Sequence, residues 1–276
     1  DDQGCGWRNP DGVGGFRMTG DVDGESKFGE FPWVVTVLKI SKEKKLLYYN
    51  GAGSLIHPAV VLTGAQVVTE DDLSVRAGEW DSKTTKEPLK HQQRNVQSVI
   101  VHKNYQKRNM WYAVALLELA SPFKMEPHVG VVCLSPAGIR PPSGTHCLAA
   151  GWGKTSFNTQ QYQNILKKVE VPVMSRKSCQ TALRTTRLGG HFKLHRCFTC
   201  AGGVHGVDTC KGDGGAPLVC PLPDEQDRYI QTGIVSWGIG CGQNGIPGVY
   251  MDVSFLRPWI DMQMRNMGYD DSTYTY

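Results

Sequence analysis

Asp-Thr-Cys-Lys-Gly-Asp-Gly-Gly-Ala-Pro, residues 208–217, is the stretch that decides the fold of this 276-residue chain. Its three glycines are typical of a tight loop, and a short β-rich run follows at 217–220. Further on, a β-rich run at 229–237 leads into Ser-Trp-Gly at 236–238, and Pro-Gly-Val-Tyr at 247–250 opens another. Short strands separated by turn residues predict antiparallel β-structure around this loop.

Similar β-rich runs fill most of the remaining chain. They lie at 33–40, 53–63, 73–78, 95–102, 114–119, 147–151, 167–173 and 248–253. About ten such runs without interleaved helices predict an all-β barrel or sandwich. A proline-rich segment at 136–143 separates two halves that carry similar numbers of strands.

Two helices are predicted in the second half. Apolar residues at helical spacing indicate a C-terminal helix over 255–267, with Ser254 as its cap and Pro258 in its first turn. A shorter helix is predicted to start at Ser175 and to end near Leu183.

Composition excludes several classes of protein. Hydrophobic residues make up 40% and charged residues 20% of the chain, which argues against wholesale disorder. The net charge of +4 is mild, and acidic or neutral residues interrupt the basic clusters, so nucleic-acid binding is not expected. No run is long and apolar enough to predict a membrane span. The nine widely spaced cysteines favour disulfides, and therefore an oxidising, extracellular compartment, over a metal site.

Several short segments, taken together, resemble the trypsin family of serine proteases. Besides the stretch at 208–217 and the two segments after it, these are Gly-Ser-Leu-Ile (53–56), Val-Val-Leu-Thr-Gly-Ala (60–65), Val-Ala-Leu-Leu (114–117) and Ala-Ala-Gly-Trp-Gly (149–153). These segments occur in the family's order and together span the chain from about residue 31 to 267. The resemblance implies an all-β fold of two six-stranded antiparallel β-barrels with a C-terminal α-helix.

The N-terminal leader, residues 1–30, narrows the resemblance to one group within the trypsin family. Gly-Cys-Gly (4–6), Arg-Asn (8–9) and Gly-Glu-Phe-Pro-Trp (29–33) are similar to arthropod clip-domain serine protease homologs, which include prophenoloxidase-activating factors and masquerade-like proteins. The clip module is not in the sequence. The predicted organisation is an extended, disulfide-tethered leader (1–30) and a protease-homolog domain (31–276). Within that domain, barrel one takes about 31–135, barrel two about 145–254 and the helix about 255–267.

The resemblance also locates the catalytic triad, and each of its three positions is replaced. Gln66 stands at the histidine position, Ala113 at the aspartate position and Gly214 at the serine position. Triad chemistry needs a hydroxyl nucleophile, an imidazole to accept its proton and a carboxylate to orient that imidazole. Losing the nucleophile alone typically costs about a millionfold in turnover. The chain is therefore predicted to be a pseudoprotease without catalytic residues.

The family pattern assigns eight of the nine cysteines. It implies the bridges Cys5–Cys133, Cys147–Cys220, Cys179–Cys200 and Cys210–Cys241, and it leaves Cys197 unpaired. Three alternatives stay open for Cys197: a free thiol, an exchange with Cys200 for Cys179, or a bridge to another chain. A fifth family bridge, between the positions of Gly51 and Val67 beside the missing histidine, is lost as a pair.

Two other parts of a protease site, the specificity pocket and the oxyanion hole, are predicted to be retained although catalysis is lost. By resemblance, Asp208 forms the floor of a basic-residue pocket, and Gly238 and Gly248 form its open walls. Backbone N–H groups of Gly212 and Gly214 would form a vestigial oxyanion hole.

Asp213 stands where the family binds the new α-amino terminus after zymogen cleavage. At the matching junction, Arg17-Met18, Asp21 replaces a glycine and would set a second carboxylate near Asp213. Insertion would therefore be unfavourable, so a single uncleaved chain is expected here.

No cofactor is expected. Glu79 and Glu87 flank a loop that binds calcium in some relatives, but Lys83, Lys86 and Lys90 crowd the same loop. The resemblance favours a secreted cofactor or scaffold in an extracellular protease cascade, most plausibly innate-immune melanisation. Its partners would be cascade proteases or prophenoloxidase-type proteins. A decoy that antagonises such a cascade, or a structural or adhesion protein, are the alternatives.

Overall fold

The computed structural model describes residues 3–14, 24–81, 87–152, 165–204, 213–239 and 244–276. Barrel one is closed by six antiparallel strands in the order β1-β2-β3-β6-β5-β4. These strands are β1 (Val34–Ile40), β2 (Leu47–His57), β3 (Val60–Thr63), β4 (Asp72–Ala77), β5 (Gln92–Val101) and β6 (Ala115–Leu119).

Barrel two closes in the order β11-β8-β9-β10-β13-β12, because β11 also pairs with β12. Its strands are β8 (His146–Gly151), β9 (Lys167–Met174), β10 (Phe198–Gly202), β11 (Pro217–Pro221), β12 (Tyr229–Gly238) and β13 (Pro247–Asp252). The two-residue strand β7 (Cys133–Leu134) lies parallel to β12 at the edge of this sheet. The predicted pair of six-stranded antiparallel barrels is confirmed.

Side-chain alternation along the strands explains how two barrels share one core. On β1, Val35 and Val37 pack inside barrel one, whereas Val34 on the opposite face joins the large cluster between the barrels. Trp33 and Leu116 belong to the same central cluster and are fully buried. Both faces of a strand are therefore apolar where it separates two layers of core.

Two helices complete the fold. Helix α1 (Arg176–Arg184) begins as predicted, with the Ser175 side chain accepting a hydrogen bond from the Ser178 N–H. Helix α2 (Val253–Asn266) is also confirmed, but its predicted start was wrong. Asp252, not Ser254, is the cap, because its carboxylate accepts from the Ser254 and Phe255 N–H groups.

Pro258 lies inside α2 instead of in its first turn. A proline there cannot donate to the carbonyl four residues earlier, which belongs to Ser254. The Gly138 N–H donates to that carbonyl at 3.2 Å, so the helix continues without an orphaned acceptor.

The leader is held against the barrels by covalent and ionic contacts. Cys5 is bridged to Cys133, and Lys168 on β9 donates to the fully buried carboxylate of Glu30, which also accepts from Arg8 within the leader. Phe28 is also buried. The proposed division of the chain at residue 30 stays a prediction.

Within the described residues, no helix is both long and apolar enough to cross a membrane.

Candidate functional site

The structure brings together two of the three positions at which the resemblance predicts a replaced triad. Gln66 lies on a single 3₁₀ turn (Ala65–Val67) after β3, and Gly214 lies in the loop before β11. A Cβ atom added to Gly214 would lie 3.6 Å from Nε2 of Gln66. Position 214 therefore faces position 66, but a glycine offers no nucleophile and an amide does not accept a proton near neutral pH.

The Gln66 side chain is fixed by the neighbouring barrel. Its Nε2 donates to the carbonyl of Val235 at 3.2 Å, while its Oε1 is buried and has no partner among the described residues. A Cβ atom at Gly64 would lie 2.2 Å from that oxygen, so the side chain folds back over the turn that carries it. The amide spans the gap between the barrels as a structural contact.

Ala113, the third position, is fully buried immediately before β6. Thr63 pairs with Ala115 across β3 and β6, so Ala113 lies beside the turn that carries Gln66. Met110 and Tyr112, just before it, both adopt positive φ angles, a costly conformation for non-glycine residues that is common at functional sites. Two strained residues thus lie just before the position at which the resemblance places the aspartate.

The position of the missing fifth bridge is filled by valine. A Cβ atom at Gly51 would lie 2.7 Å from Cγ2 of Val67, so the two positions face each other at bridging distance. The Asn50 amide donates to the Val67 carbonyl and joins the same two segments. A hydrogen bond and an apolar side chain thus stand where the resemblance implies a disulfide.

Asp213 is buried, and its carboxylate is hydrogen-bonded without an α-amino group. The Trp152 N–H donates to Oδ2 of Asp213, and the Tyr49 hydroxyl hydrogen-bonds to the same carboxylate. Burial and the charge of Asp213 raise the pKa of Tyr49 well above its usual value. Only glycine fits at position 151, because a Cβ atom there would lie 2.6 Å from Oδ2. Arg17, Met18 and Asp21 lie outside the described residues.

A Tyr49→Phe variant tests this arrangement through pH. At neutral pH it should lose about 1.5–3 kcal/mol of unfolding free energy, the contribution of a hydrogen bond to a charged group. Native Tyr49 keeps its proton above pH 10, where the unfolded chain loses it, so wild-type stability falls as pH rises through that range. The Tyr49→Phe variant has no hydroxyl proton to lose, so its unfolding free energy lacks this dependence on pH. The difference in unfolding free energy between the variant and the wild type should therefore shrink above about pH 10.

Urea unfolding at neutral and alkaline pH measures both effects, with Tyr48→Phe, an exposed neighbour, as the control. A Tyr49→Phe variant as stable as Tyr48→Phe would show that Asp213 does not depend on the hydroxyl.

The pocket walls are described, whereas its floor is not. Gly238 and Gly248 pair directly across β12 and β13, and a Cβ atom at Gly238 would meet no atom of the described residues within 4 Å. The described residues therefore leave the wall at Gly238 open. Asp208, Gly212 and the Cys210–Cys241 bridge lie outside the described residues, so the predicted floor, oxyanion hole and bridge stay predictions.

Sequence reasoning missed two buried groups beside these walls. The hydroxyl of Ser236 and Nε1 of Trp237 are buried, and neither has a hydrogen-bond partner within the described part of the chain. Only the Ser-Trp-Gly motif could have drawn attention to them, because burial cannot be read from these letters alone.

Three disulfides lie within the described residues: Cys5–Cys133, Cys147–Cys220 and Cys179–Cys200. These are three of the four pairs that the resemblance implies. Cys197 carries a free thiol that is fully buried, and burial raises its pKa to about 11. Such a thiol is neither ionised at neutral pH nor accessible, so it could bridge to another chain only if this region opened.

The loop considered for calcium already holds a positive charge. Arg76 donates to Oε2 of Glu79 at 2.9 Å, and His91 lies 3.6 Å from the same oxygen. Burial raises the pKa of Glu79 to about 7 against the opposing effect of Arg76, and Glu87 adds to the rise. Arg76 already supplies a positive charge to the Glu79 carboxylate, so a calcium ion there would have to compete with that guanidinium. That no metal binds stays a prediction.

The two closed six-stranded antiparallel barrels, with the loops that carry Gln66 and Gly214 meeting between them, define a protein of the chymotrypsin-like class. A comparison with family models matches residues 22–260 to the trypsin family, and the chain belongs to that family. It is 56% identical over 282 residues to phenoloxidase-activating factor 2 of Galleria mellonella, an alignment that covers 99% of this chain and 93% of that protein.

Two mosquito proteins are also similar. One is the inactive CLIP domain-containing serine protease A3 of Aedes aegypti, 42% identical, with 86% of this chain and 50% of that protein covered. The other is the inactive CLIP domain-containing serine protease A8 of Anopheles gambiae, 36% identical, with 94% of this chain and 70% of that protein covered. The chain thus groups with arthropod clip-domain serine protease homologs, among them proteins named as inactive.

Proposed function

We propose that this protein is a secreted, non-catalytic serine protease homolog that acts as a cofactor or scaffold in an extracellular protease cascade of innate immunity. One observation carries the proposal: a protease fold in which Gly214 faces Gln66, so that the position of a nucleophile faces an amide. A protease fold that lacks the catalytic groups functions by binding other molecules.

The relatives support the cascade. The Galleria protein is named as an activating factor for phenoloxidase, and the chain aligns with nearly its whole length. The three disulfides suit an oxidising, extracellular compartment. The partners are accordingly a cascade protease, a prophenoloxidase-type substrate, or both, and the output is melanisation.

Regulation by cleavage at Arg17-Met18 is not part of this proposal. Asp213, the group that would receive a new α-amino terminus, already accepts from Trp152 and Tyr49. A new terminus would have to displace these donors and bring Asp21 towards a buried carboxylate. The protein therefore works as a single chain at this junction.

A reconstituted cascade tests the role. The purified protein is added to prophenoloxidase with its activating protease, and oxidation of a catechol substrate is followed. Enhancement that needs the folded chain, and that a reduced and alkylated sample does not give, supports a cofactor. Suppression would replace this role with that of a decoy, and no effect would leave a structural or adhesion role.

The decoy is the second candidate because the wall at Gly238 is open. With Asp208 at its floor, the pocket would receive a guanidinium or ammonium group and hold it without cleavage. A bidentate hydrogen bond to a carboxylate contributes about 1.5–3 kcal/mol, which predicts weak binding of a small amidine, in roughly the micromolar-to-millimolar range.

Benzamidine is therefore expected to bind the wild type measurably in calorimetry. Asp208→Ser should abolish binding, and Gly238→Val, which fills the open wall, should do the same without removing a charge. Absence of binding to the wild type even at high millimolar benzamidine would mean that the pocket is collapsed, and the decoy proposal would lose its support.

A further inference from the structure

Two segments of the chain carry cations and no acidic residue. Residues 102–117 contain three lysines or arginines and residues 171–203 contain six, whereas neither segment contains an aspartate or a glutamate. Since the whole chain has a net charge of +4 and these two segments together contribute +9, the remaining residues carry a net charge of −5. The charge of the protein is therefore strongly separated along the sequence, although its net value is mild.

The fold brings these two segments side by side. Trp111, in the loop before β6, stacks on His195 with ring centroids 4.3 Å apart. Arg196 Nη2 donates to the Tyr112 hydroxyl at 3.4 Å. A loop of barrel one therefore packs against the segment that precedes β10 in barrel two, and basic clusters that are separate along the chain become neighbours.

Helix α1 is joined to the same segment by two arginines. Arg176 Nη2 donates to the His195 carbonyl at 3.0 Å, and Arg184 Nε donates to the Phe192 carbonyl at 2.8 Å. These two guanidinium groups hold the segment against the helix. The exposed side of α1, the segment after it and the barrel-one loop are thus parts of one surface.

The seven other cations of the two segments are all exposed. We call them the basic face: Lys103, Lys107, Arg108, Lys177, Arg187, Lys193 and Arg196. Among the described residues, none of the seven has a carboxylate within 4.0 Å. Cations of one sign that the fold gathers without counter-charges repel one another, and a bound polyanion would remove that repulsion.

The composition of the basic face favours a polysaccharide over a protein as its ligand. In the described parts of the two segments, no large apolar side chain is exposed. Four of the seven cations are lysines. Protein interfaces centre on apolar and aromatic groups and are depleted in lysine, whereas a sulfated chain needs only cations that its sulfate groups can reach.

The aromatic side chains beside the basic face already have stacking partners. Trp111 is stacked on His195, as described above. Tyr112 is stacked on His102, with ring centroids 4.6 Å apart. Single-stranded nucleic acids gain much of their affinity from bases that stack on exposed aromatic rings, so this surface suits them less well.

We infer that the basic face binds a linear sulfated polysaccharide. Its sulfate groups would pair with cations of both barrels, and the release of its condensed counterions would make binding depend steeply on salt. The inference goes beyond the proposed cascade role, because this surface includes neither the vestigial pocket nor the positions of the triad.

A labelled oligosaccharide tests the inference directly. Fluorescein-labelled heparin dodecasaccharide is titrated with the full chain, and fluorescence anisotropy is followed. Saturable binding is expected at about 50 mM NaCl, and it should weaken at least about tenfold at about 200 mM. At the lower salt concentration, Lys107→Glu/Arg108→Glu and Lys177→Glu/Lys193→Glu should each weaken binding at least about tenfold, because each removes two cations from one side of the face.

The matched control is Lys42→Glu/Lys44→Glu, the same change of charge at two exposed lysines between β1 and β2. It should alter the affinity less than about threefold, since short-range pairing rather than net charge holds the ligand. A control that weakens binding as much as the two test variants would show that the polyanion responds to net charge alone, and it would overturn the inference.

Three further probes separate other occupants. The desulfated dodecasaccharide should not bind, because its sulfate groups supply the contacts. Polyglutamate with the same number of charges should bind more weakly, and equal or tighter binding would overturn the inference in favour of an acidic protein segment. Equal or tighter binding of a single-stranded oligonucleotide of matched charge would overturn it in favour of nucleic acid. Absence of saturable heparin binding at about 50 mM NaCl would also overturn it.

Discussion

A Tyr274→Ala variant is expected to lose about 3–5 kcal/mol of unfolding free energy, the usual cost of removing a large buried aromatic side chain. Tyr274 is fully buried although it lies only two residues before Tyr276, the last residue of the sequence. Its hydroxyl donates to Oδ1 of Asp261 on α2 at 2.7 Å, and its carbonyl accepts from the Leu134 N–H at 3.0 Å. The terminal segment therefore joins α2 to the strand beside barrel two.

Urea unfolding with intact disulfides measures this loss. Tyr274→Phe, which removes the hydroxyl alone, should cost about 1 kcal/mol, and Tyr276→Ala, at an exposed tyrosine, less than about 0.5 kcal/mol. If Tyr274→Ala behaved like Tyr276→Ala, the tail would not pack as described.

The second large effect is expected at Glu30. Its fully buried carboxylate accepts from Arg8 Nε at 2.9 Å and from Lys168 Nζ at 2.9 Å, and these contacts join the leader to β9. Glu30→Gln would leave two cations facing a neutral amide. Since removing one partner of a buried ion pair typically costs about 3–5 kcal/mol, and both cations here are partly exposed, a loss of about 3 kcal/mol is expected.

The matched control is Glu225→Gln, which breaks the half-exposed pair with Arg228 and should cost less than about 1 kcal/mol. The same unfolding experiment compares the two variants. Equal losses in Glu30→Gln and Glu225→Gln would show that the leader is not held by this ion pair.

Most strands could be predicted because their apolar alternation and flanking turns are local signals. The exceptions have physical causes. The predicted run at 53–63 is two strands, β2 and β3, that turn at Pro58, and no long polar loop marks the break. β10 was missed because its five residues, Phe-Thr-Cys-Ala-Gly, are too short and too mixed to show a period.

The first half of β2 was also missed. Residues 47–50 are exposed or half-exposed and show no alternation, since their conformation comes from pairing with β1. Long-range pairing of this kind overrides local propensity.

Those residues of the candidate site that lie in recognisable sequence motifs could be predicted. Positions 66 and 214 were expected to lie together because the resemblance assigns both to one triad, and the structure places them side by side. The role of Tyr49 beside Asp213 could not be predicted, since 164 residues of sequence separate them and only the folded barrels bring them together. The contact between Tyr274 and Leu134, which are also far apart in sequence, could not be predicted for the same reason.

The replaced triad is the central claim, and covalent labelling tests it most directly. The intact protein is incubated with a fluorophosphonate, which phosphonylates activated serines with loss of fluoride, and its mass is measured, with trypsin treated in parallel. No adduct on this chain and complete labelling of trypsin are the expected result, because Gly214 has no side chain and Gln66 cannot activate a neighbour. A stoichiometric adduct at any residue between 210 and 217 would contradict the account.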